Sequence, residues 1–220
     1  MDKVIGVQEA VSKISDGDVV MVGGFLAVGG PNKIIDYIVE NTDLKELTLI
    51  CNDTAFIDKG VGKMVEKKQF KKIIASHIGT NRETGRQMNE GETEVQLVPQ
   101  GTLAERVRAA GYGLGGILTK TGIGIKEIEE GKQKITVQGE EYLLEEPLKA
   151  DVAIINARYA DKFGNLKFEG STVNFNNIMA FAADTVIVEA DEVVEIGELD
   201  PNDVVTPGIL VDFIVDGGAL

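Results

Sequence analysis

The sequence is poor in the side chains that build disulfides and transition-metal sites. Its 220 residues include one cysteine, Cys51, one histidine, His77, and no tryptophan. A single cysteine excludes a disulfide framework and a multi-cysteine metal site, and a single histidine excludes a histidine-rich one. No metal site is therefore predicted, and the reducing cytoplasm is the expected compartment. Residues 1–4 also lack the basic region of a secretory signal.

Positive charge is also scarce. Asp and Glu outnumber Lys and Arg by 36 to 22, which gives a formal net charge of −14 at pH 7. This excess argues against nucleic acid as a partner, because binding a phosphate backbone requires a basic face. The apolar runs are too short to span a membrane, so no membrane partner is expected. Any phosphate site would have to be local and built from backbone groups.

Short apolar, β-branched runs alternate with amphipathic patterns along the chain. This alternation predicts an α/β fold with an open, mostly parallel sheet flanked by helices. The predicted strands are Val19–Val22, Leu47–Cys51, Lys72–Ala75, Val95–Val98, Ile117–Thr119, Val152–Ala157 and Thr185–Glu189. The predicted helices are Val7–Ile14, Asn32–Val39, Leu103–Ala110 and Asn176–Ala183. Residues 1–220 are expected to form a single domain.

Two segments depart from this alternation. Residues 135–144, ITVQGEEYLL, have the pattern of a β-hairpin, which predicts a small antiparallel excursion from the main sheet. Residues 204–218 are apolar with glycines and fit either an edge strand or an arm that reaches a partner.

The segment from Asp16 to Pro31, DGDVVMVGGFLAVGGP, is the strongest candidate for a ligand-binding element. It places an apolar strand before a loop with two glycine pairs, followed by a helix predicted to begin at Pro31. Such a loop would present free backbone N–H groups and the positive end of a helix dipole to the phosphate of a nucleotide-like cofactor. The alternative is a tight turn that needs glycines for positive φ angles.

A second glycine-rich segment, residues 111–116 (GYGLGG), matches the dinucleotide fingerprint G-x-G-x-x-G letter by letter. The fingerprint requires a strand before the glycines and a helix after them. Here a predicted helix precedes the glycines and a predicted strand follows them. A connection between helix and strand is therefore favoured over a nicotinamide site.

Polar side chains follow several predicted strands, at the edge where parallel sheets bind ligands. Asn52 and Asp53 follow one strand, and Gln100 follows another. An amide there can donate a hydrogen bond to an oxygen that gains charge during a reaction. The alternative is a role in helix caps or turns, which suits Asn52 and Asp53 better than Gln100. His77 also ends a strand, and we expect it to pack rather than to catalyse.

Several motifs together carry a family resemblance. They are DGDVVMVGGFLAVGGP at residues 16–31, LTLICNDTAF at 47–56, SHIGTN at 76–81, VPQGTLAE at 98–105 and NFN at 174–176. In this order, and over nearly the whole chain, they resemble the α (A) subunit of family I CoA-transferases, in particular the bacterial enzymes that act on acetate, butyrate and acetoacetate.

The resemblance implies a reaction and a partner. CoA would pass from an acyl-CoA to a free carboxylate by a ping-pong route through a glutamyl-CoA thioester. The resemblance also implies that the nucleophilic glutamate belongs to a β subunit, in a Glu-Asn-Gly-like context. The nearest segment, Glu40-Asn41-Thr42, lacks the glycine. CoA would be a substrate, with no tightly bound cofactor.

The resemblance also assigns residues. It implies that Gln100 and, less firmly, Asn52 stabilise the oxyanion of the intermediates. It assigns CoA binding to the loop residues Gly23, Gly24, Phe25, Leu26, Ala27, Val28 and Gly29.

Two other interpretations remain open on the residues alone. One is a standalone sugar-phosphate isomerase or deaminase of similar fold, which would use the same loop for a sugar phosphate and its own acid/base carboxylate. The other is a non-catalytic module that binds CoA or a nucleotide.

Overall fold

The computed structural model describes residues 2–218 and arranges their strands in two β-sheets. The strands are β1 (Val19–Val22), β2 (Leu47–Asp53), β3 (Phe70–His77), β4 (Glu94–Leu97), β5 (Ile117–Thr119), β6 (Lys134–Val137), β7 (Glu140–Glu145), β8 (Ala150–Asp161), β9 (Leu166–Lys167), β10 (Ala183–Val194) and β11 (Phe213–Asp216). The α-helices are α1 (Val7–Val11), α2 (Asn32–Asn41), α3 (Gly62–Glu66), α4 (Arg82–Glu90), α5 (Gln100–Gly111), α6 (Lys126–Glu129) and α7 (Asn176–Ala180). Short 3-10 helices cover Gly170–Val173, Pro201–Asp203 and Gly208–Leu210.

The main sheet has the strand order β11-β10-β8-β1-β2-β3-β4, and its neighbouring strands run parallel. The short β9 pairs antiparallel with the outer part of β8. From β1 the chain moves outward to β4 and later returns to β8, on the other side of β1. The strand order therefore reverses between β1 and β8. In open α/β sheets the crevice outside the carboxyl ends of the strands at such a switch point is the usual ligand site.

The core lies on both faces of this sheet, because successive side chains of a buried parallel strand point to opposite faces. In β1, Val20 and Val22 pack in the cluster with α1 and α2, whereas Met21 packs in the cluster with α5 and α7. Cys51 is one of the buried side chains. Burial, with a smaller contribution from the charge of Asp53, raises the pKa of its thiol well above the ordinary value. Cys51 is therefore a core residue.

The predicted fold class is confirmed, including the small antiparallel sheet, whose order is β5-β7-β6. The segment 204–218 contributes β11, a strand next to β10 at the edge of the sheet. One strand was assigned to the wrong sheet. Ile117–Thr119 belongs to the small sheet, since it pairs antiparallel with β7 rather than with a strand of the main sheet.

The helix predictions need larger corrections. Helices α3 and α4 were not predicted, because α3 has only five residues and α4, RETGRQMNE, has almost no apolar stripe. Helix α7 ends at Ala180 instead of Ala183, where β10 already begins. Helix α2 begins at Asn32, as in the predicted range Asn32–Val39, so Pro31 is its N-cap rather than its first residue.

A buried charge cluster ties the small sheet to α5. Glu145 on β7 is only 2% exposed and receives a hydrogen bond from Lys132. Its carboxylate lies 3.8 Å from Nη1 of Arg106, whose Nε donates to the carbonyl of Glu146 at 2.7 Å. Burial lowers the pKa of Arg106, and the charge of Glu145 opposes that effect. Within residues 2–218, no helix is long and apolar enough to cross a membrane.

Candidate functional site

The candidate residues gather at the carboxyl edge of the main sheet. The glycine loop, residues 23–30, connects β1 to α2 and lies at the switch point. Asn52 and Asp53 are the last two residues of the neighbouring β2. Gln100 is the first residue of α5, two strands further along the sheet. The structure therefore brings the predicted loop and the predicted amides to one edge.

The tip of the glycine loop is a tight four-residue turn. Phe25 and Val28 exchange backbone hydrogen bonds of 3.0 and 2.9 Å. The central residues, Leu26 and Ala27, have φ angles of 48° and 69°, in the left-handed region that glycine or asparagine normally occupies. The side chains of Phe25 and Val28 remain 44% and 51% exposed, so the turn presents two apolar groups at the carboxyl edge.

Most of the glycines in this loop are required by the fold itself. A Cβ at Gly23 would lie 1.8 Å from Oδ1 of Asn176. Gly24 and Gly29 have φ angles of 118° and 67°, which disfavour any other residue. At Gly30 a Cβ would meet its nearest atom at 3.6 Å, an ordinary contact. The alternative interpretation as a tight turn with positive φ angles thus accounts for two of the four glycines, and close packing against Asn176 accounts for a third.

Some of the loop N–H groups that the sequence predicts to be free are engaged within the chain. Five of the eight N–H groups from Gly23 to Gly30 donate to acceptors within the chain, whereas those of Ala27, Gly29 and Gly30 have no acceptor among residues 2–218. At the N-terminus of α2, the backbone N–H of Ile34 donates to the buried carboxylate of Glu189 at 2.9 Å. The chain therefore supplies its own anion to this helix end, and the loop N–H groups left for a ligand are those of Ala27, Gly29 and Gly30.

The side chains of Asn174 and Asn176 form hydrogen bonds with the backbone of the glycine loop. Oδ1 of Asn174 accepts from the N–H of Gly24 at 3.2 Å, and its Nδ2 donates to the carbonyl of Val28 at 3.2 Å. Nδ2 of Asn176 donates to the carbonyl of Gly29 at 2.8 Å, and its Oδ1 accepts from the N–H of Asn156 on β8 at 3.1 Å. The NFN motif was visible in the sequence, but its link to a loop about 150 residues earlier was not.

Asn52 joins the two other candidate residues into one hydrogen-bonded chain. Nε2 of Gln100 donates to Oδ1 of Asn52 at 2.8 Å, and Nδ2 of Asn52 donates to Oδ2 of Asp53 at 2.6 Å. The same Asp53 carboxylate accepts from the backbone N–H of Leu26. Neither Asn52 nor Asp53 caps a helix, since both still belong to β2. Asn52 is buried, whereas Gln100 is exposed toward the edge.

Of the remaining candidates, His77 is the register partner of Asp53 on the neighbouring β3, and the others lie away from this group. His77 ends β3 with an exposed ring close to Gly79, where a Cβ would come within 2.9 Å of the imidazole. Glu40 lies near the C-terminal end of α2, a helix about 15 Å long that starts at the glycine loop. Residues 111–116 connect the end of α5 to β5, as their order in the sequence indicates.

The fold and the site together define a class: open α/β proteins with a ligand site at the carboxyl edge, beside the switch point. The described residues also contain no group of three or more His, Cys, Asp or Glu side chains that could hold a metal ion.

Comparison with known proteins narrows this class. The coenzyme A transferase family model matches residues 4–217. The acetate CoA-transferase subunit alpha of Escherichia coli is 50% identical over 213 residues, which cover 97% of this chain and 96% of that protein. The acetoacetyl-CoA:acetate/butyrate CoA transferase alpha subunit of Clostridium acetobutylicum is also 50% identical over 213 residues, 97% of each chain. The chain belongs to the coenzyme A transferase family, and the predicted resemblance is confirmed.

Solved structures of more distant proteins share the fold. Glutaconate coenzyme A-transferase from Acidaminococcus fermentans superposes with a TM-score of 0.87 at 23% identity, over 97% of this chain and 75% of that one. An Escherichia coli acyl-CoA transferase, determined as a thioester complex with CoA, gives a TM-score of 0.84 at 22% identity. That match covers 97% of this chain and 47% of the larger one.

Proposed function

We propose that this chain is the α subunit of a heteromeric CoA-transferase that moves CoA between short-chain acyl-CoA thioesters and free carboxylates. Acetate, butyrate and acetoacetate are the proposed acids, in line with the names of the relatives that are 50% identical. The observation that carries the proposal is the Gln100–Asn52 amide pair beside the glycine loop, in a chain of this family. The standalone isomerase or deaminase and the non-catalytic module find no support among these relatives.

The covalent step is assigned to a glutamate of the β subunit. Its carboxylate attacks the acyl-CoA carbonyl and expels the CoA thiolate, which leaves a mixed anhydride. The thiolate then attacks the glutamyl carbonyl, forming the glutamyl-CoA thioester and releasing the first carboxylate. The incoming carboxylate reverses these two steps. Each attack generates an oxyanion that hydrogen-bond donors stabilise.

The carboxylates of this chain that contact the loop and α2 are poor candidates for that nucleophile. Asp53 is buried and accepts hydrogen bonds from Leu26, Ala55 and Asn52. Glu189 is buried and accepts from Ile34 at the start of α2. A carboxylate engaged by several donors and closed off from solvent cannot reach a thioester carbonyl without breaking those bonds. This arrangement supports a nucleophile from the partner subunit.

Gln100 is proposed as the oxyanion donor and Asn52 as the residue that orients it. One N–H of the Gln100 amide is directed to Asn52, which leaves the other N–H free at the exposed edge. Asn52 is buried, and its Oδ1 and one N–H of its Nδ2 are engaged with Gln100 and Asp53. Gln100 is therefore the better placed of the two to meet a substrate.

The loop from Gly23 to Gly29 is proposed to form one wall of the CoA site, through its side chains rather than through backbone contacts to phosphates. Five of its seven N–H groups are engaged, and its exposed side chains, Phe25 and Val28, would make its main contact with CoA. These apolar groups suit the pantetheine arm of CoA better than its phosphates.

We further propose that residues 1–220 act as one domain in the cytoplasm, with CoA as a substrate and no tightly bound cofactor.

Reconstitution tests the function. This chain and the β chain encoded beside it are purified separately, and transfer from acetoacetyl-CoA to acetate and from butyryl-CoA to acetate is assayed for each chain and for the pair. Activity of the pair, with none from this chain alone, is expected. Activity of this chain alone, or no activity of the pair with any of the proposed acids, would contradict the proposal.

A further inference from the structure

Asp53 contacts both parts of the proposed site. Its side chain is 5% exposed, and both of its oxygens accept from N–H donors. Oδ1 accepts from Ala55 at 2.8 Å and from Leu26 at 3.2 Å. Oδ2 accepts from Leu26 at 3.1 Å and from Nδ2 of Asn52 at 2.6 Å. One carboxylate thus bonds the tip of the glycine loop and the amide that bonds Gln100.

The carboxylate fixes the direction of the hydrogen-bond chain. An ionised carboxylate only accepts, so Asn52 must turn its Nδ2 toward Asp53. Oδ1 of Asn52 then faces Gln100, and Gln100 must donate through Nε2. The hydroxyl of Ser76 donates to the backbone carbonyl of Asn52 at 2.7 Å and approaches Oδ1 at 3.3 Å, which agrees with Oδ1 being the acceptor.

The same carboxylate holds a strained turn. Leu26 and Ala27 both have positive φ, a conformation that costs free energy for residues with a Cβ and persists only where neighbouring contacts impose it. The N–H of Leu26, in the middle of this turn, donates to Asp53. Ala55, the other bonded N–H, also has a positive φ of 51°. Asp53 therefore stabilises two left-handed residues on adjacent loops.

We infer that Asp53 is a positioning residue for the transfer reaction: it orients Gln100 through Asn52 and fixes the turn at Leu26. This inference rests on the proposed function. The residues around Asp53 in the sequence do not indicate this role. The side chain is buried and would act only through its hydrogen bonds to Leu26 and Asn52.

The isosteric variant Asp53→Asn separates orientation from loop anchoring. The new Oδ1 can keep the bonds from Ala55 and Leu26, but the new Nδ2 then faces Nδ2 of Asn52, donor against donor. Asn52 must turn its amide over, and Gln100 must follow. We expect kcat of the αβ pair to fall at least about tenfold, the scale of one lost oxyanion donor, while KM for acyl-CoA changes by less than about twofold.

Two further variants show that the effect passes through Gln100 and the loop. In a Gln100→Ala background, Asp53→Asn should lower kcat no further, because residues that act through one another are not additive. Asp53→Ala removes the loop bonds as well, so it should raise KM for acyl-CoA in addition to lowering kcat. Asp43→Asn, an exposed position at the far end of α2, is the matched control and should leave both constants unchanged.

The outcomes distinguish the inference from the proposed function. If the wild-type pair transfers CoA but Asp53→Asn keeps its kcat, the inference is overturned and the function stands. The same holds if the losses from Asp53→Asn and Gln100→Ala simply multiply. If the wild-type pair transfers no CoA, the proposed function fails and the inference falls with it.

Discussion

The side-chain amide of Gln100 donates to Oδ1 of Asn52 across 2.8 Å and joins two positions that are 48 residues apart in the chain. The contact arises because Asn52 ends β2 and Gln100 begins the helix after β4, on the same edge of a parallel sheet. It leaves Gln100 with one free N–H at that edge and fixes where this N–H points. A reactive oxygen brought to this edge by a partner would meet an oriented donor.

Gln100→Ala removes this donor. We expect kcat of the αβ pair to fall at least about tenfold, since one oxyanion donor contributes a few kcal/mol to transition-state stabilisation. The thermal unfolding midpoint should hardly change, because the side chain is exposed. Steady-state kinetics and calorimetry measure the two effects. Gln133→Ala, at an exposed position, is the control. Wild-type turnover in Gln100→Ala would contradict the role of Gln100 as an oxyanion donor.

Gly23→Ala tests whether the glycine loop is fixed by close packing. The added Cβ would collide with Oδ1 of Asn176, so either that side chain or the loop must move. We expect the free energy of unfolding in urea to fall by about 1–3 kcal/mol, typical of overpacking, and activity to fall with it.

Gly85→Ala is the matched control for Gly23→Ala. It lies inside α4, and a Cβ there would meet no atom within 4 Å. The substitution should stabilise the protein by about 0.5–1 kcal/mol, because alanine loses less backbone entropy in a helix. Equal effects of the two variants would contradict the packing argument.

Glu145→Ala tests the connection between the small sheet and α5. The change leaves the buried Arg106 without its nearby carboxylate. Removing one partner of a buried pair costs about 3–5 kcal/mol, and we expect urea denaturation to show a loss near the lower end. Glu141→Ala, an exposed position on the same strand, should change stability by less than about 1 kcal/mol. A loss below that limit in Glu145→Ala would show that the cluster is not a structural link.

Glu189 predicts a pH dependence of stability. Burial raises the pKa of this carboxyl above its ordinary value of 4.5, against the opposing N–H bonds of Ile34 and Lys33. Between the ordinary pKa and the raised one, the native state binds more protons than the unfolded state. The contribution of Glu189 to the free energy of unfolding therefore falls as pH rises through that window.

Glu189→Gln removes the ionisation but keeps an oxygen that can accept from Ile34. The variant should gain stability relative to wild type as pH rises through the window, and the difference should level off above it. Urea denaturation at a series of pH values, from below the ordinary glutamate pKa to neutrality, measures this. Glu192→Gln, exposed on the same strand, should track wild type. A pH-independent difference for Glu189→Gln would show that its native pKa is not raised.

The sequence predicted those features that depend on one strand or one edge. The apolar run of β1 and the polar residues after β2 and β4 predicted a sheet with Asn52 and Gln100 at the same end. Helix α4 was not predicted because its residues are mostly polar, although the residues at its two ends are typical of helix caps. Asn81 caps its first N–H groups and Gly91 ends it with a φ of 71°.

Features that depend on distant pairs could not be predicted from local pattern. In the glycine loop the N–H groups of Gly24 and Leu26 donate to Asn174 and Asp53. At the start of α2 the N–H of Ile34 donates to Glu189. These acceptors all lie far from the loop in the sequence. The local sequence therefore does not show which N–H groups of the loop are engaged and which are free. The direction of the Asn52 amide likewise follows from the charge on Asp53, and only the folded geometry brings the two groups into contact.

The location of the covalent intermediate tests the central claim most directly. The αβ pair is incubated with acetoacetyl-CoA in the absence of an acceptor acid, and the intact mass of each chain is measured under denaturing conditions. A CoA adduct on the β chain, with this chain at its unmodified mass, is the expected result. An adduct on this chain would contradict the division of labour in which this chain binds and orients while its partner supplies the nucleophile.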